Sequence, residues 1–314
     1  MIHIRSVALV ASFLVVGRAA AQPKSVPLLQ AVPQPNHQLS FQRDGQELTR
    51  LHFGPDLRRP FLFPIVGPSG RVLTRMGHPH DPEGHSHHNS VWISHHDVNG
   101  VTFWGDKGPG RIVHQRIEKI ADDGSESWVI THHAWLDEST KKPLLLERRR
   151  THVQLLEKGE WLLILDLMFQ SKAEASLGKT PFGPIGVRMA KTIGVHDGGG
   201  TIRNSNGETN EKEVFWKRAK WVDYSGPIAD KVIEGITLFD HPDNPGHPCA
   251  FHVRNDGWMG ASLTFDGPLK ITASQPLQVR YGLYVHSGMP SREDLDRRWS
   301  EFAAIKLVEP AKKK

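Results

Sequence analysis

From Leu39 onward the apolar positions recur every second residue, the period of a strand with one buried face. Leu39 and Phe41 alternate with polar neighbours, and Asp44-Gly45 turns the chain toward Leu48 and Leu51 as a hairpin. Between Pro60 and Val72, apolar pairs are broken by Pro64, Gly67, Pro68 and Gly70, which predicts short strands and tight turns. Two longer hairpins follow. Ile112 to Ile120 and Ser127 to Leu136 flank Asp122-Asp123-Gly124; Leu144 to Leu156 and Trp161 to Gln170 flank Lys158-Gly159. In the last of these strands Trp161, Leu163, Leu165, Leu167 and Phe169 share one face, while Leu162, Ile164 and Met168 share the other with Asp166. A strand apolar on both faces belongs in the middle of a two-sheet stack. Gly178 to Gly207 is glycine-rich and reads as a long functional loop leading into a strand. Asn255-Asp256-Gly257 joins two more strands, and Leu277, Val279, Tyr281, Leu283 and Val285 alternate up to His286.

Only one helix stands out. Ser291 and Asp294 form a capping box, and Leu295, Trp299 and Phe302 then repeat on one face. No repeat recurs at a fixed spacing, which argues against a propeller or solenoid. The pattern predicts an all-β protein, a large antiparallel sandwich or barrel with one short C-terminal helix.

The ends of the chain read differently. Residues 1–21 carry Arg5, the apolar run Val7 to Val16 and Ala19-Ala20-Ala21, the pattern of a secretory signal peptide. Residues 22–37 are rich in Pro and Gln and are expected to be an extended lead-in; 38–308 form a single β-sandwich domain, and 309–314 are a basic tail. The protein is expected to be exported, to periplasm or medium, with no membrane contact after signal cleavage; the sequence leaves its oligomeric state open. The formal charge of +5 includes Arg5, Arg18 and Lys312-Lys313-Lys314, so the body is near neutral and no nucleic-acid partner is expected. A lone cysteine, Cys249, excludes an intramolecular disulfide.

Chemistry concentrates between His78 and His114. This stretch holds His78, His80, His85, His87, His88, His95, His96 and His114, out of 19 histidines in the chain. His85, His87 and His88 converge if they sit in a loop, but not if they sit on a strand. Imidazoles transfer protons near neutral pH and also ligate metals. His95, Asp97 and Asn99 share a strand face by spacing; the competing reading makes Asn99-Gly100 a hairpin corner. The Trp104 indole suits stacking on a pyranose as well as core packing. His114 faces either core or cleft. Arg188 follows the glycine-rich loop, and its planar fork suits a hydroxyl or carboxylate. Glu147, Glu208 and Glu211 are weaker carboxylate candidates. Asp240-His241 precedes a loop, and His252 with Arg254, and Arg280 with His286, lie at strand spacing. Nucleophile-elbow, phosphate-loop, dinucleotide and paired-cysteine motifs are absent, so no cofactor is expected.

Several blocks together resemble a family of exported bacterial proteins known as DUF6807. They are His85-Ser-His87-His88, Trp92, His95-His-Asp97-Val-Asn99-Gly-Val-Thr-Phe103-Trp104 and Gly186-Val-Arg188-Met-Ala190. Further along come Trp221-Val-Asp223-Tyr224-Ser-Gly226, Gly235-Ile, Phe239-Asp240-His241-Pro242-Asp-Asn244-Pro, His252-Val-Arg254, Arg280-Tyr281 and His286. They run in order through most of the mature chain; Asn89 departs from the pattern, where the family usually has a basic residue. The resemblance implies a galactose mutarotase-like supersandwich and a sugar ligand, although a fold alone does not fix a function. Automatic labels give the family the name methane oxygenase PmoA. A membrane oxygenase needs several spanning helices, and no apolar run of about 20 residues follows the signal.

The reading is therefore an exported carbohydrate-active protein doing acid–base chemistry of epimerase, lyase or glycosidase type. His87, His88, His95 and His241 are the expected catalytic residues. His85, Asp97, Asn99, Trp104, Arg188, His252 and His286 are expected to hold the substrate, a carbohydrate or sugar-derived small molecule. Two alternatives stand beside it: a non-catalytic glycan-binding module, and a metal-dependent enzyme with a divalent ion on His85, His87, His88 and His95.

Overall fold

The computed structural model describes residues 26–77, 80 and 85–305. The segment 1–21 read as a signal peptide, the tail 309–314 and His78 lie outside these residues. In chain order the strands begin with β1 (Leu29–Gln34), β2 (Gln38–Arg43), β3 (Gln46–His52), β4 (Phe61–Ile65), β5 (Val91–Ile93) and β6 (Gly110–Asp123). Next come β7 (Glu126–Asp137), β8 (Lys142–Leu155), β9 (Trp161–Gln170), β10 (Ala175–Leu177), β11 (Pro184–Arg188) and β12 (Thr201–Asn204). The series closes with β13 (Trp221–Ala229), β14 (Val232–Asp240), β15 (Ala250–Arg254), β16 (Trp258–Ser262), β17 (Leu269–Ile271) and β18 (Leu277–Ser287). Two short helices, α1 (Val195–Gly198) and α2 (Asn210–Val214), interrupt the middle of the chain, and α3 (Arg292–Ala303) ends it.

Two eight-stranded antiparallel sheets stack face to face. The first runs β1-β2-β3-β4-β5-β11-β16-β15 and the second β12-β13-β14-β18-β9-β8-β7-β6. The antiparallel sandwich read from the alternation is the architecture found. β9 sits between β18 and β8, inside the second sheet. Its Trp161, Leu163, Leu165, Leu167 and Phe169 enter the core between the sheets, and Leu162 and Ile164 pack outward beneath α3. Both faces of this strand are buried, as its unbroken apolar run requires.

The turn residues set the register. Asp44 (φ 49°) with Gly45 (φ 76°), and Lys158 (φ 56°) with Gly159 (φ 79°), take the left-handed conformations that tight hairpins demand. Helix α3 is capped as its sequence implies: the Ser291 hydroxyl accepts from the Asp294 amide at 3.1 Å. The lead-in is more structured than its composition suggests. β1 pairs along β2, and Leu29 and Ala31 bury their side chains in the core. Among the described residues no helix is long and apolar enough to cross a membrane.

Candidate active site

The site lies on the outer face of the first sheet, across β5, β11, β16 and β15. Strand alternation sends Val91, Ile93, Ile185, Val187, Met259, Ala261, Phe251 and Val253 into the core between the sheets. Their neighbours Trp92, Gly186, Arg188, Trp258, Gly260, His252 and Arg254 therefore face outward. Gly186 lies opposite both Trp92 and Gly260, and a side chain there would collide with the Trp92 indole. The glycine thus lets the indole lie close over the sheet. Trp92, Trp104, Trp258 and Phe61 form a separate buried aromatic layer on this face.

The histidine turn rests on that layer. The His88 amide donates to the His85 carbonyl at 3.0 Å, closing the turn. The buried His88 ring stacks on Trp92 at 5.0 Å, on Trp258 at 5.4 Å and on His85 at 4.3 Å. His87 meets His88 edge-on at 4.5 Å and points toward Trp104, 6.4 Å away. Above these rings opens a cleft of about 1040 Å³, also lined by Phe182, Glu211 and Asp256.

Two charged groups hold this arrangement. Arg59 is buried, and its guanidinium donates to the carbonyls of Trp104 (2.8 Å), Gly105 (2.7 Å) and His87 (3.1 Å) and to Asn89 Oδ1 (2.7 Å). It ties the histidine turn to the Trp104 loop. Burial draws its pKa down to about 10. Asn89 Oδ1 thus accepts from that arginine. On the other side, Arg188 Nη1 donates to Asp256 Oδ1 at 2.9 Å, and Asp256 Oδ2 faces His85 Nδ1 at 3.4 Å. Burial works against the Asp256 charge, but His85 and Arg188 outweigh it and hold the carboxyl well below the usual range. Glu211, from α2, pairs with Arg254 at 3.1 Å and accepts from the Asn255 amide at 2.7 Å.

The imidazoles lean the other way. Burial, helped by the Arg59 charge, lowers His87 to about 4; burial lowers His252 to about 3. His88 falls well below its ordinary value through burial and then the neighbouring His87 and His85. These three rings are neutral bases at neutral pH, beside a fixed carboxylate.

Of the residues selected from sequence, His85, His87, His88, Trp104 and His252 line the cleft, and Arg188 supports it from below through Asp256. The others stand elsewhere. His95 is fully buried, with its ring nitrogens against Thr264 Oγ1 (3.1 Å) and the Asp97 carbonyl (2.8 Å). Asp97 Oδ1 accepts from the Gly100 amide at 2.7 Å, and Asn99 (φ 53°) with Gly100 (φ 83°) makes a tight turn. The corner reading of Asn99-Gly100 holds, because that pair's tolerance of positive φ outweighs a short alternating row. Asn99 Oδ1 accepts from the Ser176 amide at 2.8 Å. His286 lies on β18 of the second sheet, and His241 directly follows the end of β14 in that sheet. His241 bonds the Ile305 carbonyl at 3.1 Å and packs on Phe302, while His286 Nε2 lies 2.9 Å from Asp223 Oδ1, both side chains fully buried.

His114 contacts Phe53 at 4.4 Å, and Glu147 bonds Trp135 and Arg149 in the interior. Glu208 accepts from Asn204 at 2.6 Å, leaving Glu211 as the loop glutamate that reaches the cleft. Sequence reasoning took Asp256 as a turn residue and passed over Arg59, Trp258 and His96, which also lines the cleft. The hairpin register Arg254↔Trp258 was the available signal for Trp258, since it puts that residue on the His252 side of the sheet. Among the described residues no group of three or more His, Cys, Asp or Glu is placed to hold a metal ion. Of the four histidines in the metal reading, His95 turns toward Thr264 instead of the cleft.

The fold and site define an antiparallel β-sandwich that presents an aromatic, imidazole-lined cleft on the outer face of one sheet. The chain belongs to the family of unknown function DUF6807, whose family model matches residues 38–300. No curated protein matches it. Among solved structures it is similar to galactose 1-epimerase from Lactobacillus acidophilus, at 8% identity and TM-score 0.42 over 83% of this chain and 98% of that one. It is also similar to an aldose epimerase homologue from C. elegans, at 7% identity and TM-score 0.37 over 84% of this chain and 99% of that one.

Proposed function

We propose that this protein is a carbohydrate-active enzyme that moves protons on a sugar bound in the histidine cleft, in an epimerase or lyase type of reaction. The observation that carries the proposal is the His85–Asp256–Arg188 relay standing beside neutral His87 against an aromatic wall. A sugar presents an apolar C–H face to Trp104 and Phe182 and its hydroxyls to the imidazoles. His87 takes a proton as general base. His85, oriented by the Asp256 carboxylate, returns one. The ring centres of His85 and His87 are 6.1 Å apart and both rings border the same cleft, so the two can serve one bound sugar.

Glycoside cleavage has less support. It ordinarily uses two carboxyl groups, one of them free to protonate or attack. The cleft carboxylates Asp256 and Glu211 are each already engaged with an arginine. The signal-like residues 1–21 lead us to place this activity outside the cytoplasm, and the N-terminal sequence of the mature protein tests that placement.

The reaction is tested by NMR in D2O over a panel of aldoses and uronic acids, following anomeric exchange and deuterium uptake at ring carbons. Conversion that falls about 10²–10⁴-fold in His87→Ala supports the assignment. Sugar binding without conversion of any panel member points instead to a glycan-binding module. Conversion undiminished in both His87→Ala and His85→Ala removes the acid–base assignment.

A further inference from the structure

The aromatic lining of the cleft does not end at its rim. Trp104 lies 4.8 Å from Phe182, and Phe182 lies 5.9 Å from the His252 ring. Beyond His252 the rings continue through Phe215, at 4.7 Å, to Trp216, which stacks on Phe215 at 4.3 Å and 26°. Phe265 lies 6.0 Å from Trp216 with its ring tilted 56° to the indole. The rings form a continuous track from the cleft out to the molecular surface.

Trp216 is 44% exposed, and among the described residues it is the one Trp, Tyr or Phe left open to solvent. Its backbone is also unusual, with φ at 59°. A bulky side chain pays a steric cost in that region, and the surrounding chain has to enforce it. Here the Trp216 amide donates to the Phe251 carbonyl at 2.8 Å, and the Lys217 amide to Val214 at 3.0 Å. Phe215 is fixed in turn by its amide bond to the Glu211 carbonyl at 3.0 Å. Packing gives no reason to hold an indole in water by a strained backbone; a planar ligand surface does.

The structure assigns Phe215 and Trp216 to an outer subsite that takes a further pyranose ring of a glycan chain. The substrate class is then an oligosaccharide or a polysaccharide end, with its reacting unit among the histidines and a later unit on the indole. This rests on the sugar reading of the cleft and names its substrate more closely.

Isothermal titration calorimetry of the protein with cello-, xylo- and galacto-oligosaccharides, from monomer to hexamer, tests it. Affinity is expected to rise about tenfold from monomer to trimer in at least one series. Trp216→Ala is expected to erase that rise and Trp216→Phe to keep most of it, with matching melting curves showing that both variants fold. Monosaccharide binding without any gain on lengthening, or an equal gain in Trp216→Ala, overturns the subsite and leaves the cleft reading standing. Binding of no sugar of any length overturns both.

Discussion

Arg188 and Asp256 meet at 2.9 Å where β11 passes the β15–β16 hairpin, and the guanidinium is buried while the carboxylate is 23% exposed. The arginine is thus a buried positive charge whose counter-charge reaches the cleft wall and turns its second oxygen to His85. Asp256→Asn takes the bonded carboxylate away from the buried Arg188 guanidinium and removes the negative charge that Asp256 turns toward His85. Stability is expected to fall by roughly 1–3 kcal/mol in urea denaturation. Turnover on a proven sugar is expected to fall about 10²-fold with little change in KM, since the relay acts on proton transfer rather than on binding. A kcat equal to that of the unaltered protein removes Asp256 from the relay.

Arg59 holds together two loops that otherwise share few bonds. Its fork spans four backbone carbonyls, those of His87, Phe103, Trp104 and Gly105, and the Asn89 amide oxygen, a set that a lysine ammonium cannot reach at once. Arg59→Lys is expected to cost on the order of 3 kcal/mol, because it leaves carbonyls unpaired in the interior. The Trp104 loop should loosen first, read as a red shift in tryptophan emission before global unfolding. An unchanged spectrum and melting point would show that other contacts hold the loop.

Acid sensitivity follows from the buried histidines. His87 and His95 are lowered to about 4, and His252 to about 3, each chiefly by burial. The unfolded chain binds protons at these rings near pH 6.5, the folded protein only near 4 or below. Between those values the unfolded state holds more protons, so stability falls as pH falls. The urea midpoint is expected to be level above about pH 6.5 and to drop steadily toward pH 4. His95→Gln, at a ring outside the cleft, should shallow that slope without altering turnover. A midpoint flat from pH 7 to 4 contradicts the neutral-imidazole picture.

The sandwich was readable because its signals are local. Period-two alternation placed the β9 core face, and Asp44-Gly45 and Lys158-Gly159 marked hairpins through their need for positive φ. The site was readable in part. His85, His87 and His88 converge because they sit in a turn, and residue type and crowding flagged them. What failed was depth. His95, His241 and His286 are the same residue type as His87, but distant partners bury them: Thr264 for His95, Ile305 for His241 and Asp223 for His286. Asp256 was hidden by its own turn chemistry: Asn255-Asp256-Gly257 reads as a hairpin corner, and it is one, but the carboxylate also bonds Arg188 from a distant strand. Arg59 carries no local signal at all, since its partners are carbonyls 28 to 46 residues away.

The aromatic floor provides the sharpest test of packing. Gly186 passes beneath Trp92 so closely that a methyl group there would overlap the indole, and Trp92 is itself sealed beneath His88. Gly186→Ala therefore cannot be absorbed by a flexible side-chain end; the indole has to shift and carry the His88 and His85 stack with it. The expected cost is about 1–3 kcal/mol, the usual range for overpacking a filled interior. Near-ultraviolet circular dichroism should lose part of its tryptophan signal, and turnover should fall with it. Gly267→Ala is the matched control, because a methyl group at that position meets nothing within 4 Å. If Gly186→Ala keeps both the native spectrum and full turnover, the floor is not the close-packed support for the histidine turn described above.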